Sequence, residues 1–171
     1  VSAFSVLLGK YLGLSETDLR TLEVGGLFHD IGKIGIPDSI LLKESKLTDD
    51  EYSEIKNHPS IGAHILCNAS IFQDIIPIVK HHHERFGGKG YPGKLKGEEI
   101  PYLARVTAVA DTFDAMTSKR TYRNALPLDV VKEEIADCSG TQFDPEIAKV
   151  FLDILNNHYD EIKKIQEDFP A

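Results

Sequence analysis

Apolar residues recur every three or four positions over most of this chain, which is the spacing that gathers them on one face of an α-helix. Leu19, Leu22 and Ile31 follow this period, and so do Ile147 and Ile154. Strand-like alternation is nearly absent from the sequence. The pattern therefore predicts an all-α fold, with helices near residues 2–13, 16–31, 48–57, 60–69, 77–85, 101–118, 127–137 and 145–167.

Capping residues mark three of the predicted helix starts. Ser15 and Thr48 each precede an acidic residue three positions later, and Asp144 precedes Pro145, which suits the first helical position. The one long irregular stretch, residues 86–100, holds five glycines. Loops of that length inside compact domains are often functional, so we expect this loop to belong to a site.

Composition and charge narrow the class of protein. A chain of 171 residues with 42% hydrophobic content suits a single domain with one core. Its net charge of -8 argues against long nucleic acid as a partner, although bound cations would still allow a small anionic substrate. Cys67 and Cys138 match no zinc spacing, which favours a reducing compartment. We therefore expect a cytoplasmic domain without membrane contact of its own.

The start of the chain predicts a longer protein. Val1 is not preceded by a methionine, and the first twenty residues show no signal-peptide pattern. We expect an upstream part, such as a sensor or receiver domain, which could also tether this domain to a membrane.

The first candidate metal ligands lie at the end of the predicted helix 16–31. His29 and Asp30 fall in its last turn, next to Gly32 and Gly35, which allow a sharp change of direction. The carbonyl end of a helix favours a cation. The alternative is that His29 caps the helix and Asp30 is solvated.

The predicted helix 101–118 adds two carboxylates. It is apolar on most sides, but Thr107, Asp111, Asp114 and Ser118 form one polar stripe at helical spacing. A buried carboxylate is costly unless it pairs with a cationic side chain or binds a metal. Metal binding is favoured for Asp111, whereas the two readings are balanced for Asp114.

Further histidines complete a possible ligand set. His82 continues the apolar face of the predicted helix 77–85, and His83 lies about 100 degrees around it. His58 precedes Pro59, which places it at a corner between helices. Imidazoles and carboxylates together suit a centre with two metal ions that hydrolyses its substrate. The other three histidines, His64, His81 and His158, are interpreted as ordinary core or surface residues.

Six motifs spread over the chain resemble the HD-GYP branch of the HD phosphohydrolase superfamily. They are HDIGKIGIPDSIL, KLTDDEY, HPSIGAHIL, HHERFGGKGYP, ARVTAVADTFDAMTSKRTYR and GTQFDPEIAKVFL. The resemblance implies a single HD-type helical domain over residues 1–171, in which the glycine-rich residues 86–100 form a long loop, the GYP loop. It also implies hydrolysis of cyclic di-GMP to linear pGpG and further to GMP.

The resemblance also implies roles for individual residues. Asp30 would bridge two divalent ions, most simply iron or manganese, and Lys33 would lie near the scissile phosphate. The metal ligands would be His29, Asp30, His58, His82, His83 and Asp111. The dinucleotide would be held by Gly90, Tyr91, Arg120 and Arg123. For both arginines, the alternative is a pair of surface charges beyond a helix end.

The sequence departs from the family pattern in three places. The family's His-x-x-Arg-Val histidine would lie just before Val1, so we expect the metal ligated by His29 and Asp111 to be held less tightly than the other. Gly87-Gly88 stands where the family usually has Asp-Gly. Asp114 matches a position that, as glutamate, goes with a third metal in some members; aspartate reaches less far, so two ions are expected.

Two other functions remain open from the sequence. One is hydrolysis of a nucleotide or of another cyclic dinucleotide such as cyclic GMP-AMP. The other is a signalling module without catalysis, which would bind a dinucleotide or a protein partner through the GYP loop.

Overall fold

The computed structural model describes residues 1–118 and 125–169. Within those ranges the chain forms ten α-helices and no β-strand, as its hydrophobic pattern predicted. The helices, α1 to α10 in chain order, are Ser2–Tyr11, Glu16–Phe28, Asp38–Leu41, Asp49–Ile55, His58–Leu66, Ile76–His81, Tyr102–Thr117, Leu128–Asp137, Pro145–Asn157 and Tyr159–Asp168. Three 3₁₀ turns lie at Ile31–Gly35, Ser70–Ile75 and Gly97–Glu99. No helix in the described ranges is both long and apolar enough to cross a membrane.

The three predicted helix starts are confirmed by their caps. The Ser15 side chain accepts a hydrogen bond from the backbone of Asp18, and Thr48 forms a reciprocal capping box with Glu51. Asp144 accepts a hydrogen bond from the backbone N–H of Glu146 and so caps α9. Each cap satisfies an N–H group that the first helical turn leaves without a partner.

Helix α7 runs through the middle of the main core. Val106, Val109 and Phe113 are fully buried on it. The Phe113 ring meets Phe4 of α1 edge-on at 5.0 Å and Phe151 of α9 at 5.1 Å between centroids. Full burial of one such side chain contributes about 1.5–3 kcal/mol, so these contacts fix α7 in place. Asp111, the candidate metal ligand on the polar stripe of α7, is thereby held on a rigid element.

The predicted helices 16–31 and 77–85 end earlier than expected, at Phe28 and His81. The cause is a competing hydrogen bond in each case. His29 Nδ1 donates to the carbonyl of Gly26, and His82 Nδ1 donates to that of Val79. Those carbonyls would accept the next backbone N–H in a continuing helix. His83 therefore lies in a turn, and its expected position around a helix was wrong.

The predicted helix 145–167 was also wrong, because it is two helices. His158 separates α9 from α10 with φ -133° and ψ 28°, which are not helical angles. Apolar spacing is preserved on both sides of the break, with Leu155 and Ile162 both buried in the same core. Periodicity alone therefore gives no sign of the bend. Two further differences are that α5 begins at His58 rather than residue 60, and that the short α3 was not predicted.

Candidate metal centre

Four of the predicted ligands gather at one point. One donor atom from each of Asp30, His58, His82 and His83 lies within 4.8 Å of all the others. Asp30 directly precedes the 3₁₀ turn after α2, His58 is the first residue of α5, and the two other histidines follow α6. His58 and His82 are almost completely buried. Three separate parts of the fold therefore supply a single cluster of nitrogen and oxygen donors.

Backbone carbonyls fix the tautomer of three histidines. The Nδ1 atoms of His29, His58 and His82 lie 2.8, 2.7 and 2.9 Å from the carbonyl oxygens of Gly26, Ile55 and Val79. A carbonyl oxygen can only accept, so each Nδ1 carries the hydrogen. In the neutral ring this leaves the lone pair on Nε2, the atom that faces the cluster. Such a second hydrogen bond is the usual support of a metal-binding histidine.

Asp30 turns its two oxygens toward two different groups of side chains. Its Oδ1 lies 3.1 Å from His58 Nε2 and 3.9 Å from His82 Nε2. Its Oδ2 lies 3.4 Å from His29 Nε2, which is itself 3.7 Å from Asp111 Oδ1. The structure thus brings all six predicted ligands together around Asp30. A carboxylate between two donor groups has the placement needed to share two cations.

The donor atoms on the Oδ1 side lack hydrogen-bond partners in the described part of the chain. They are Asp30 Oδ1, His58 Nε2 and His82 Nε2, all of them buried. Buried polar atoms nearly always have a partner, because an unmade hydrogen bond is costly. A divalent cation would satisfy all three lone pairs, so these residues fit a metal ion. A mixture of imidazole and carboxylate ligands suits iron, manganese and several other divalent metals.

Burial and charge set the protonation of these groups. Burial lowers the pKa of His83 to about 4 and lowers that of His82 as well, which keeps both rings neutral. Burial also opposes ionisation of Asp30 and Asp111, but their contacts with His29 outweigh it and hold both pKa values below the ordinary range. Burial opposes protonation of His29, yet the two carboxylates raise its pKa to about 9. Neutral imidazoles and ionised carboxylates are the forms that bind metals, so His29 would have to release a proton to bind one.

Lys33 stands between the cluster and solvent. Its Nζ lies 2.5 Å from Asp30 Oδ2, and its side chain is 41% exposed. The 3₁₀ turn places it one turn beyond Asp30, on the open side of the site. The Lys33 ammonium group therefore lies at the edge of the cluster, where it is open to solvent.

Tyr91 packs against a predicted ligand. Its ring stacks on that of His83, with 4.9 Å between centroids and 30° between planes, and its backbone N–H donates to the His83 carbonyl. Gly90 makes this approach possible, since a Cβ there would lie 2.4 Å from Glu84 Cα. One face of the Tyr91 ring is therefore occupied by His83. Stacking of a base on its other face stays a prediction.

Three predicted site residues are not brought to this cluster by the described part of the chain. Asp114 is not among the donors that gather around Asp30, and its Oδ1 accepts a hydrogen bond from Ser118 Oγ at 3.3 Å. Arg120 and Arg123 lie outside the described residues.

Sequence reasoning missed Glu84, which is buried beside the predicted ligands. Its carboxylate accepts hydrogen bonds from the backbone N–H groups of Gly93 and Leu95 in the GYP loop. A glutamate between a histidine and an arginine near the end of a predicted helix is expected to be exposed to solvent. Its partners are backbone atoms, so no neighbouring residue type could have indicated it.

Comparison with known proteins gives one family and several relatives. Residues 1–147 match a family model described as HD domain. A Thermotoga maritima protein named cyclic di-GMP phosphodiesterase is 44% identical over 147 residues, which are 85% of this chain and 40% of the relative. A Vibrio cholerae protein named 3'3'-cGAMP-specific phosphodiesterase 2 is 34% identical over 99% of this chain and 32% of its own length. The chain thus spans well under half of each relative.

A solved structure shares the fold. The Bdellovibrio bacteriovorus protein Bd1817, described as an HDG"Y"P protein, superposes with a TM-score of 0.71 at 23% identity. The match covers 92% of this chain and 51% of that one. At this identity the likeness concerns the helical architecture alone, and it agrees with the all-α fold described above.

Proposed function

Because this chain belongs to the HD domain family, we propose that it is a metal-dependent phosphodiesterase that opens a cyclic dinucleotide, with cyclic di-GMP as the preferred substrate. One observation carries the proposal. Three buried donor atoms, Asp30 Oδ1, His58 Nε2 and His82 Nε2, converge without hydrogen-bond partners in the described residues, which supports a metal site over a packed core.

We assign the ligands to two ions that share Asp30. His58, His82 and His83 lie on its Oδ1 side and would hold one ion, while His29 and Asp111 lie on its Oδ2 side and would hold the other. Iron or manganese suits this ligand set. In the bound state, two such cations lower the pKa of a water molecule and neutralise charge on a phosphodiester.

The remaining residues act on the substrate directly. Lys33, on the solvent side of Asp30, would offset the charge that develops on the phosphate oxygens as the ester bond breaks. Tyr91 would stack on a guanine with the ring face that is turned away from His83. Arg120 and Arg123 offer forked donors suited to a phosphate or a guanine edge. Opening of the ring would give linear pGpG, and a second cleavage at the same centre would give GMP.

Cyclic GMP-AMP is the second candidate substrate. The Vibrio cholerae relative named for that activity aligns with 99% of this chain, including the whole GYP loop. Both dinucleotides have the same phosphodiester chemistry and differ in one base. The contacts of the bases, and not the metal centre, would therefore decide between them.

Hydrolysis of both substrates by the metal-loaded protein tests the proposal. We expect pGpG and then GMP from cyclic di-GMP, separated by chromatography, and a lower kcat/KM for cyclic GMP-AMP. Asp30→Ala should give no product, whereas the exposed Asp74→Ala serves as the matched control and should react as the unaltered protein does. Tight binding without any product would instead support a signalling module without catalysis.

A further inference from the structure

We propose that Glu84 is a positioning residue, which holds loop residues 90–95 so that Tyr91 stays stacked on His83. The inference rests on the proposed function, since it assigns a role at the same metal centre. It extends that function by naming the group that joins the GYP loop to the metal ligands.

The Glu84 carboxylate is buried and uses both of its oxygens. Its side chain has no exposed surface. Oε1 accepts from the backbone N–H of Gly93 at 2.6 Å, and Oε2 accepts from that of Leu95 at 3.1 Å. His81 Nδ1 lies 3.5 Å from Oε1. A buried carboxylate is tolerated only where strong hydrogen bonds replace its water, and here the loop backbone supplies them.

The loop backbone is shaped around this carboxylate. The two N–H donors flank Lys94, which has φ 53° and is the one non-glycine residue with positive φ in the described ranges. Residues other than glycine rarely adopt that backbone conformation. Two N–H groups aimed at one anion from such a turn form a concave binding site for it. The strained backbone at Lys94 is therefore explained by the anion that it surrounds.

The same segment is attached to His83. Tyr91 donates its backbone N–H to the His83 carbonyl at 3.2 Å, and its ring covers the His83 ring. Gly90 packs directly on the backbone of Glu84 and Arg85. His83 and Glu84 are neighbours in the chain, so one short stretch supplies both the ligand and the anchor of the loop that covers it.

The base of the loop has its own support. Phe86 and Gly87 donate their N–H groups to the carbonyls of Gln142 and Thr141, and Gly97 donates to the carbonyl of Phe86. These bonds do not involve Glu84. Loss of the Glu84 carboxylate should consequently allow residues 90–95 to move, while the hydrogen bonds at the base of the loop and the helices stay formed.

The first test replaces Glu84 itself. Glu84→Gln keeps the size of the side chain but sets an NH₂ group against one of the two N–H donors. In the metal-free protein, we expect the C–H proton signals of His83 to lose the ring-current shift caused by Tyr91. His83→Asn identifies those signals by their absence. With metal bound, kcat/KM should fall about tenfold to a hundredfold, the loss of activity that is typical when a supporting residue of a metal site is replaced, and the fall should come from a higher KM.

A pair of substitutions at Lys94 covers the case in which Glu84→Gln does not fold. Lys94 is exposed, and its own N–H is not one of the two that bind Glu84. Lys94→Pro forces a negative φ and misdirects the N–H of Leu95, so it should reproduce the loss of the His83 shift and the rise in KM. Lys94→Gly keeps the positive φ and should leave both unchanged.

Three results would overturn the inference. The first is that the His83 signals are unchanged in both the Glu84→Gln and the Lys94→Pro proteins. The second is that Lys94→Gly and Lys94→Pro have equal effects, and the third is that Glu84→Gln lowers kcat with no change in KM or in the His83 signals. If the unaltered protein hydrolyses no cyclic dinucleotide, the proposed function fails, yet the His83 signals of the metal-free variants still decide the role of Glu84.

Discussion

Replacing Gly32 with alanine should weaken metal binding while leaving the protein folded. Gly32 lies in the 3₁₀ turn after Asp30 and packs on α5. A Cβ at this position would lie 1.8 Å from the carbonyl oxygen of His58 and 2.5 Å from the nitrogen of Gly62. Both are backbone atoms, so neither can rotate away.

The size of the effect follows from these distances. Real Cβ contacts stay above 3.0 Å, so the turn and α5 must separate by about 1.2 Å. Overpacking of this kind typically lowers stability by about 1–3 kcal/mol, against a total of about 5–15 kcal/mol. The same movement separates Asp30 from His58, whereas metal–ligand distances tolerate changes of only about 0.2 Å. We expect metal affinity to fall at least about tenfold.

Manganese titration by calorimetry measures the affinity, and circular dichroism on heating measures the stability. Gly35→Ala is the matched control, because a Cβ there meets only the side chain of Ile61, at 2.9 Å, and that side chain can shift. It should bind manganese as tightly as the unaltered protein. A folded Gly32→Ala protein with unchanged manganese affinity would refute the idea that this contact sets the spacing of Asp30 and His58.

Three further predictions concern the metals, the substrate and the core. The Asp30→Ala protein should contain no metal and hydrolyse no substrate, but its circular dichroism spectrum should remain helical. Full metal content in this variant would contradict a bridging role for Asp30. Arg120→Ala and Arg123→Ala should each weaken cyclic di-GMP binding about tenfold to a hundredfold with metal content unchanged, and unaltered affinity in both would make them surface charges. Phe113→Ala should lower the free energy of unfolding by about 3–5 kcal/mol in urea titrations, and a loss under 1 kcal/mol would contradict its place at the centre of the core.

Local chemistry made much of the fold predictable. Helix starts depend on a side chain and a backbone N–H two or three residues away, so Ser15, Thr48 and Asp144 could be recognised directly. Helix ends were less predictable. At His29 and His82, a side chain takes the carbonyl that the next turn needs, and an imidazole in the sequence does not reveal which way it will bond.

The candidate site was predictable as a set of residues but not as a geometry. Histidine and aspartate are themselves signals of metal chemistry, so residue type and motif indicated the candidate ligands that the structure brings together. Gly32 was recognised as a turn residue, but its contact with the His58 carbonyl joins positions 26 residues apart and depends on the packing of α5. Glu84 gave no signal because it binds backbone atoms.

The hydrogen bonds from His29, His58 and His82 to backbone carbonyls orient these three rings before a metal ion binds. Each ring is tied to the helix end just before it, those of α2, α4 and α6. Much of the conformational entropy of these rings is lost when the helices form, so less remains to be lost when a cation binds. The metal-free protein is thus preorganised, unlike small zinc domains that fold only around their ion. Removal of the metal with a chelator should leave a folded protein that binds metal again without refolding.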